Sequence, residues 1–324
     1  MDYLLLAVGL GILLLAANYL VDSSVAIAQR AKISNFIIGL TIVGIGTSAP
    51  ELFVSISSAL SNSGDIAMGN VVGSNIANIL LILGVTAIIC PFAIERLQRN
   101  RDIPFLIIAT IFVALIASDT IVPGIQVNNL NRIDGIVLLL CFIAYMGWVI
   151  VQKGKDPKQA IQDADDEAKS SLAGKSPWLL WAIALVSLVA LIYGGNLFLD
   201  SAKNLARAWG MSEAVIAITI VAVGTSLPEL VTAVIAATKK NPQLALGNVI
   251  GSNLFNLMFI LGTASAVKPL VLVDINMWDY AVMLAAAIML YMVIYTFKKD
   301  KMDRIEGFIF FAAYVGYTVY LLLR

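Results

Sequence analysis

The stretch Gly44-Ile45-Gly46-Thr47-Ser48-Ala49-Pro50-Glu51 returns in the second half of the chain as Val223-Gly224-Thr225-Ser226-Leu227-Pro228-Glu229. A second motif accompanies each copy. Gly69-Asn70-Val71-Val72-Gly73-Ser74-Asn75-Ile76-Ala77-Asn78 is answered by Gly247-Asn248-Val249-Ile250-Gly251-Ser252-Asn253-Leu254-Phe255-Asn256, at the same offset of 178 residues. Without gaps, that offset also lays Asn18 on Asn196, Asp22 on Asp200, Ser34 on Ser212, Thr41 on Thr219 and Pro91 on Pro269. The match resumes at an offset of 172, where Arg132-Ile133-Asp134-Gly135 lies on Arg304-Ile305-Glu306-Gly307, so the preceding loop is six residues shorter in the second copy. The chain is an internal duplication.

The surroundings of these motifs are apolar. Of 324 residues, 60% are hydrophobic and 13% charged, far from the composition of a soluble domain. A spanning helix needs about 20 apolar residues. Ten such stretches are present, at 3–21, 33–60, 66–90, 103–118, 133–152, 177–199, 212–237, 243–267, 277–297 and 305–323. The short alternating segments of a transmembrane barrel are absent. The expected fold is therefore an all-α polytopic membrane protein. It comprises a first five-helix repeat (1–151), a charged linker (152–176) and a second five-helix repeat (177–324). Five is odd, so consecutive copies enter the bilayer from opposite sides and form an inverted repeat. With the amino terminus outside, 16 of the 21 Lys and Arg fall in cytoplasmic loops. This excess places both termini outside a plasma or inner cell membrane and the linker in the cytoplasm. The first apolar run has no basic front and no A-x-A cleavage site, so it reads as a retained helix.

With no histidine in the chain, a Ser-His dyad, a His-ligated zinc or haem and an imidazole relay are excluded. Cys90 and Cys141 read as small buried thiols and form no metal motif. No mid-membrane lysine is available to activate a serine, so a hydrolase is disfavoured and the protein is read as no enzyme. A net charge of zero gives no argument for a nucleic-acid partner, and none is expected.

Glu51 and Glu229 are the exceptions within the apolar helices. Each costs a few kcal/mol at mid-membrane, and no Lys or Arg lies in these helix centres to offset it. The counter-charge must be a bound cation or protons. Pro50 has no amide hydrogen to give to the Gly46 carbonyl, and Pro228 does the same to Gly224. Thr47, Ser48 and Glu51 share a helix face, as do Thr225, Ser226 and Glu229. Asn70, Ser74 and Asn78 form a polar stripe at every fourth position, copied by Asn248, Ser252 and Asn256. These are hard oxygen donors suited to sodium or calcium, although such amides also serve as interhelical hydrogen-bond partners. Ser55, Ser58 and Asn62 continue the first stripe as a candidate access path, for which the second copy offers mainly Thr232.

The paired motifs resemble the alpha-repeats of the calcium/cation antiporter superfamily, most closely those of prokaryotic sodium/calcium exchangers, over nearly the whole chain. The resemblance implies ten helices with a central ion-binding core of the second, third, seventh and eighth, and first and sixth helices that slide during alternating access. It implies calcium ligation by Glu51, Glu229, Thr47 and Thr225. It implies sodium ligation by Ser48, Ser74, Asn78, Ser226, Ser252 and Asn256, with carbonyls near Gly44 and Ala222. Potassium-dependent relatives carry Asp where this chain has Asn256, so a potassium-independent exchanger is expected. The expected partners are calcium, sodium and the lipid bilayer, with no cofactor and no protein partner. Calcium/proton exchange on the same glutamates is the alternative.

Overall fold

The computed structural model describes residues 1–119, 127–152, 170–211, 224–273, 275, 277–296 and 299–323. A backbone in lipid must satisfy its own amides and carbonyls, and these apolar runs do so as helices. In chain order they are α1 (Asp2–Ala31), α2 (Asn35–Thr47), α3 (Ala49–Leu60), α4 (Gly64–Ile89), α5 (Ile103–Ile116), α6 (Arg132–Gln152), α7 (Pro177–Ala208), α8 (Leu227–Thr238), α9 (Pro242–Val267), α10 (Met277–Met292) and α11 (Arg304–Leu323). Among the described residues, α1, α4, α6, α7, α9 and α11 are each long and apolar enough to cross a membrane, and α2 with α3 makes a bent seventh. Most of the linker and residues 212–223, including Ala222, lie outside the described residues.

Three stretches depart from the expected bounds. The run at 33–60 breaks at Ser48, whose backbone (φ −83°, ψ 12°) leaves the helix, and α2 and α3 meet at 45°. Pro50, in the first turn of α3, has no amide to carry the hydrogen-bond ladder through. Ser226 repeats this conformation (φ −87°, ψ 11°) just before α8. Conversely, α1 passes the expected end at Val21 and stops at Lys32, a left-handed cap at φ 53°. It continues through Asp22 and Ser23 because Lys239 neutralises the first and the Leu20 carbonyl accepts from the second. For α7, Asp200 pairs with Lys203 and Ser201 bonds the Leu197 carbonyl, which carries that helix from the expected end at 199 to Ala208.

The centre belongs to α4 and α9, whose apolar stretches are 72% and 94% buried, against 17–33% for the long peripheral helices. Glycine permits the tightest crossing there. A Cβ at Gly247 or Gly251 would collide with the carbonyls of Phe36 and Leu40 on α2. The helices α1 and α7 pack face to face, with Gly9 against Phe198 and Gly194 against Ile12 and Leu13. Two short antiparallel ribbons tie the copies together. Strand β1 (Phe92–Ala93) pairs with β4 (Lys301–Met302), and β2 (Asn128–Leu130) pairs with β3 (Leu270–Leu272). Each ribbon takes one strand from each copy.

Candidate cation-binding site

The breaks at Ser48 and Ser226 put both glutamates in the first turn of a helix, where the backbone dipole favours negative charge. Each glutamate is 1% exposed. The copies are cross-linked by hydrogen bonds: the Ser48 hydroxyl donates to Glu229 Oε1 at 2.9 Å, and the Ser226 hydroxyl donates to Glu51 Oε1 at 3.5 Å. The hydroxyls of Ser74 and Thr47 lie beside Glu51 and Glu229 respectively. Glu51 Oε2 and Glu229 Oε2 are buried and have no hydrogen-bond partner. Among the described residues no Lys or Arg forms an ion pair with either carboxylate.

The stripe residues on α4 and α9 meet across the centre. Asn78 Nδ2 donates to Asn253 Oδ1 at 3.0 Å and Asn256 Nδ2 donates to Asn75 Oδ1 at 3.1 Å, while Asn78 Oδ1 and Asn256 Oδ1 remain buried without partners. Both site asparagines sit where the helix widens into π-helical turns, at Ala77–Leu83 and Phe255–Ile260. Such turns are frequent at functional sites. The Thr47 hydroxyl donates to Asn248 Oδ1 at 3.2 Å. Ser252 Oγ donates to the Gly44 carbonyl at 3.1 Å, so this expected ion ligand already accepts a hydroxyl. Asn70 Nδ2 reaches the Glu51 carbonyl at 3.3 Å and Ser55 Oγ at 3.2 Å, which ties the head of the candidate access path to the site. Thr225, 9% exposed, instead lines a cavity beside the site. Each buried acceptor without a donor costs about 1–3 kcal/mol. Four such oxygens, two of them carboxylate, lie on the motif residues.

The cavity, of about 340 Å³, runs from Pro50, Pro228 and Thr225 past Asn196 to Asp200, whose side chain is 71% exposed. The counterparts of those last two residues in the first copy are Asn18 and Asp22, whose surroundings differ. There Lys239 Nζ bonds Asp22 Oδ1 at 2.6 Å and the Asn18 carbonyl at 3.1 Å, and Ser171 Oγ donates to Asp22 Oδ2 at 2.7 Å. Ser170 Oγ donates to the Asp22 carbonyl at 2.7 Å. Asp22 is 13% exposed. Asp200 is exposed and its counterpart Asp22 is covered.

Residues 1–151 and 179–323 match the family described as Sodium/calcium exchanger protein. The chain belongs to that family. It is 35% identical to the uncharacterised membrane protein MJ0091 of Methanocaldococcus jannaschii, over 96% of this chain and 97% of that one. It is 31% identical to the sodium/calcium exchanger MaX1 of Methanosarcina acetivorans, over 99% of this chain and 98% of the relative. A structure of the sodium-calcium exchanger NCX_Mj, soaked with sodium and calcium, superposes with a TM-score of 0.80 at 31% identity, over 98% of this chain and 97% of that one. The protein is a multi-pass membrane transporter of the cation/calcium antiporter type, and not an enzyme.

Within this exchanger, nine of the ten residues expected at the site gather around the two glutamates and the α4–α9 contact, with Thr225 at the cavity wall. Asn75 and Asn253 are absent from the expected set because they sit off the fourfold stripe. The signal that marks them is the duplication, which repeats both at the offset of 178.

Proposed function

We propose that this exchanger trades sodium for calcium by alternating access, without potassium, through a site made by Thr47, Ser48, Glu51, Ser74, Asn78, Thr225, Ser226, Glu229, Ser252 and Asn256. The observation that carries this reading is the crosswise Ser–Glu pairing, which leaves two carboxylate oxygens without donors, while two amide oxygens of the accompanying motifs are in the same condition. Two carboxylate charges balance one calcium, while sodium ions compete for the same oxygens. An empty site carries bare charge that resists passage through the apolar core, so only loaded states cross and leak is prevented. Oxygen donors of this kind suit sodium and calcium over softer metals.

The scaffold for this cycle is ten spanning helices in two inverted five-helix repeats, with both termini outside and the 152–176 linker in the cytoplasm. Support comes from the reciprocal pairing of strands and of Asn75 with Asn253 across the copies, and from the basic residues concentrated at one side. In this topology the open mouth at Asp200 faces outward and the mouth at Asp22 is the shut cytoplasmic one.

The test is calcium-45 uptake into proteoliposomes loaded with sodium. Wild type takes up calcium when sodium runs outward. Glu51→Gln and Glu229→Gln each lose uptake by more than tenfold, and wild-type exchange in either would remove the site. Replacing external potassium with choline leaves uptake unchanged. Uptake driven by a pH gradient without sodium would instead establish proton coupling.

A further inference from the structure

Asn75 and Asn253 touch no transported ion in the proposed site, yet their bonds decide what the site presents. Asn75 Nδ2 donates to the Asn253 backbone carbonyl at 3.4 Å, and Asn253 Nδ2 donates to the Asn75 backbone carbonyl at 3.4 Å. A backbone carbonyl only accepts, so the amide nitrogen of each side chain must face it, and the orientation of both carboxamides is fixed. Their Oδ1 atoms are then the acceptors left over. Asn256 gives its Nδ2 to Asn75 Oδ1, and Asn78 gives its Nδ2 to Asn253 Oδ1. With nitrogen committed, each of these amides turns its oxygen the other way, and those oxygens are the two without partners. A reversed amide would oppose oxygen to oxygen in the ring and turn an NH₂ toward the cation. All four side chains are at most 1% exposed, so water offers no alternative partner.

We propose that Asn75 and Asn253 are positioning residues that hold the carboxamides of Asn256 and Asn78 with their oxygens toward the transported cation. The control is crossed: each copy of the repeat orients the amide of the other. The proposal rests on the reading of Asn78 and Asn256 as ion ligands. Groups that orient a ligand without touching the metal change affinity by about 10–100-fold when removed.

The experiment measures the sodium half-saturation of exchange in proteoliposomes for Asn75→Leu, Asn253→Leu, Asn78→Ala, Asn256→Ala and the four cross-combinations of a leucine with an alanine variant. The melting temperature of each cation-free protein checks folding. Asn75→Leu raises the half-saturation about tenfold. Added to Asn256→Ala it raises it no further, because the group it orients is already gone, whereas added to Asn78→Ala its effect multiplies. Asn253→Leu shows the mirror pattern, coupled to Asn78 and independent of Asn256. A merely structural role would lower the melting temperature without this crossed selectivity. Half-saturations within twofold of wild type for both leucine variants, or effects that multiply in all four combinations, would overturn the positioning role alone. Wild-type half-saturation in both alanine variants would overturn the ligand reading, and the proposal with it.

Discussion

Ser48 and Ser226 each spend a hydroxyl proton on the carboxylate of the opposite copy. In Ser48→Ala the carboxylate of Glu229 loses its short donor inside a closed core, which costs about 1.5–3 kcal/mol. The cation-free protein is expected to melt at a lower temperature than wild type. Saturating calcium should close most of that gap, since the ion replaces the missing donor; a scan with and without calcium measures both numbers. Much of this site is legible in the sequence. Glutamates without counter-ions, prolines that free carbonyls and a fourfold stripe of hydroxyls and amides are local facts. The roles of Asn75 and Asn253 are not local, because each is defined by a backbone carbonyl 178 positions away.

The element that departs most from its sequence pattern is α1. Its polar turn at Asp22, Ser23 and Ser24 reads as a helix end, but partners on distant elements, Lys239 and Ser171 among them, let the helix run on. The break between α2 and α3 is the reverse case, since Pro50 alone dictates it. The contact of α2 with α9 has no slack. Gly251→Ala places a Cβ against the Leu40 carbonyl, backbone that a rotamer change cannot move aside. This variant is expected to lose about 1–3 kcal/mol of stability or more, as overpacked contacts do, with an early-eluting or absent peak in fluorescence-detected size-exclusion chromatography. Gly147→Ala on α6, where nothing stands within 4 Å of the added carbon, should elute as wild type.

Across the whole molecule, duplicated residues stand in unlike surroundings, and in the proposed cycle the difference between the two mouths lies in what covers the aspartate. Asp200, paired with Lys203, is 71% exposed, while Asp22 is covered by Lys239 and by Ser170 and Ser171 of the linker. Removing the lysine should release the shut mouth. In Lys239→Met, a cysteine placed at Asn18 is expected to react with a maleimide at least threefold faster than in the parent. A cysteine at Asn196 should react more slowly, because opening one mouth withdraws population from the other. Equal rates in both backgrounds would show that the ion pair does not bias the states. The duplication is plain in the sequence and the asymmetry is not, because it depends on where a lysine and two serines come to rest.

The two ribbons set an order on synthesis. Phe92 pairs with Met302 and Leu130 with Leu270, so neither β1 nor β2 has its partner within its own half. When the ribosome has delivered the first five predicted spans, their strands β1 and β2 still expose free backbone edges, and the buried amides of α4 lack those of α9. The β2–β3 ribbon lacks its second strand until Leu272 is made, and the β1–β4 ribbon until Met302 is made. The ribbons therefore close in turn, β2–β3 before β1–β4, and neither closes before the second half is made.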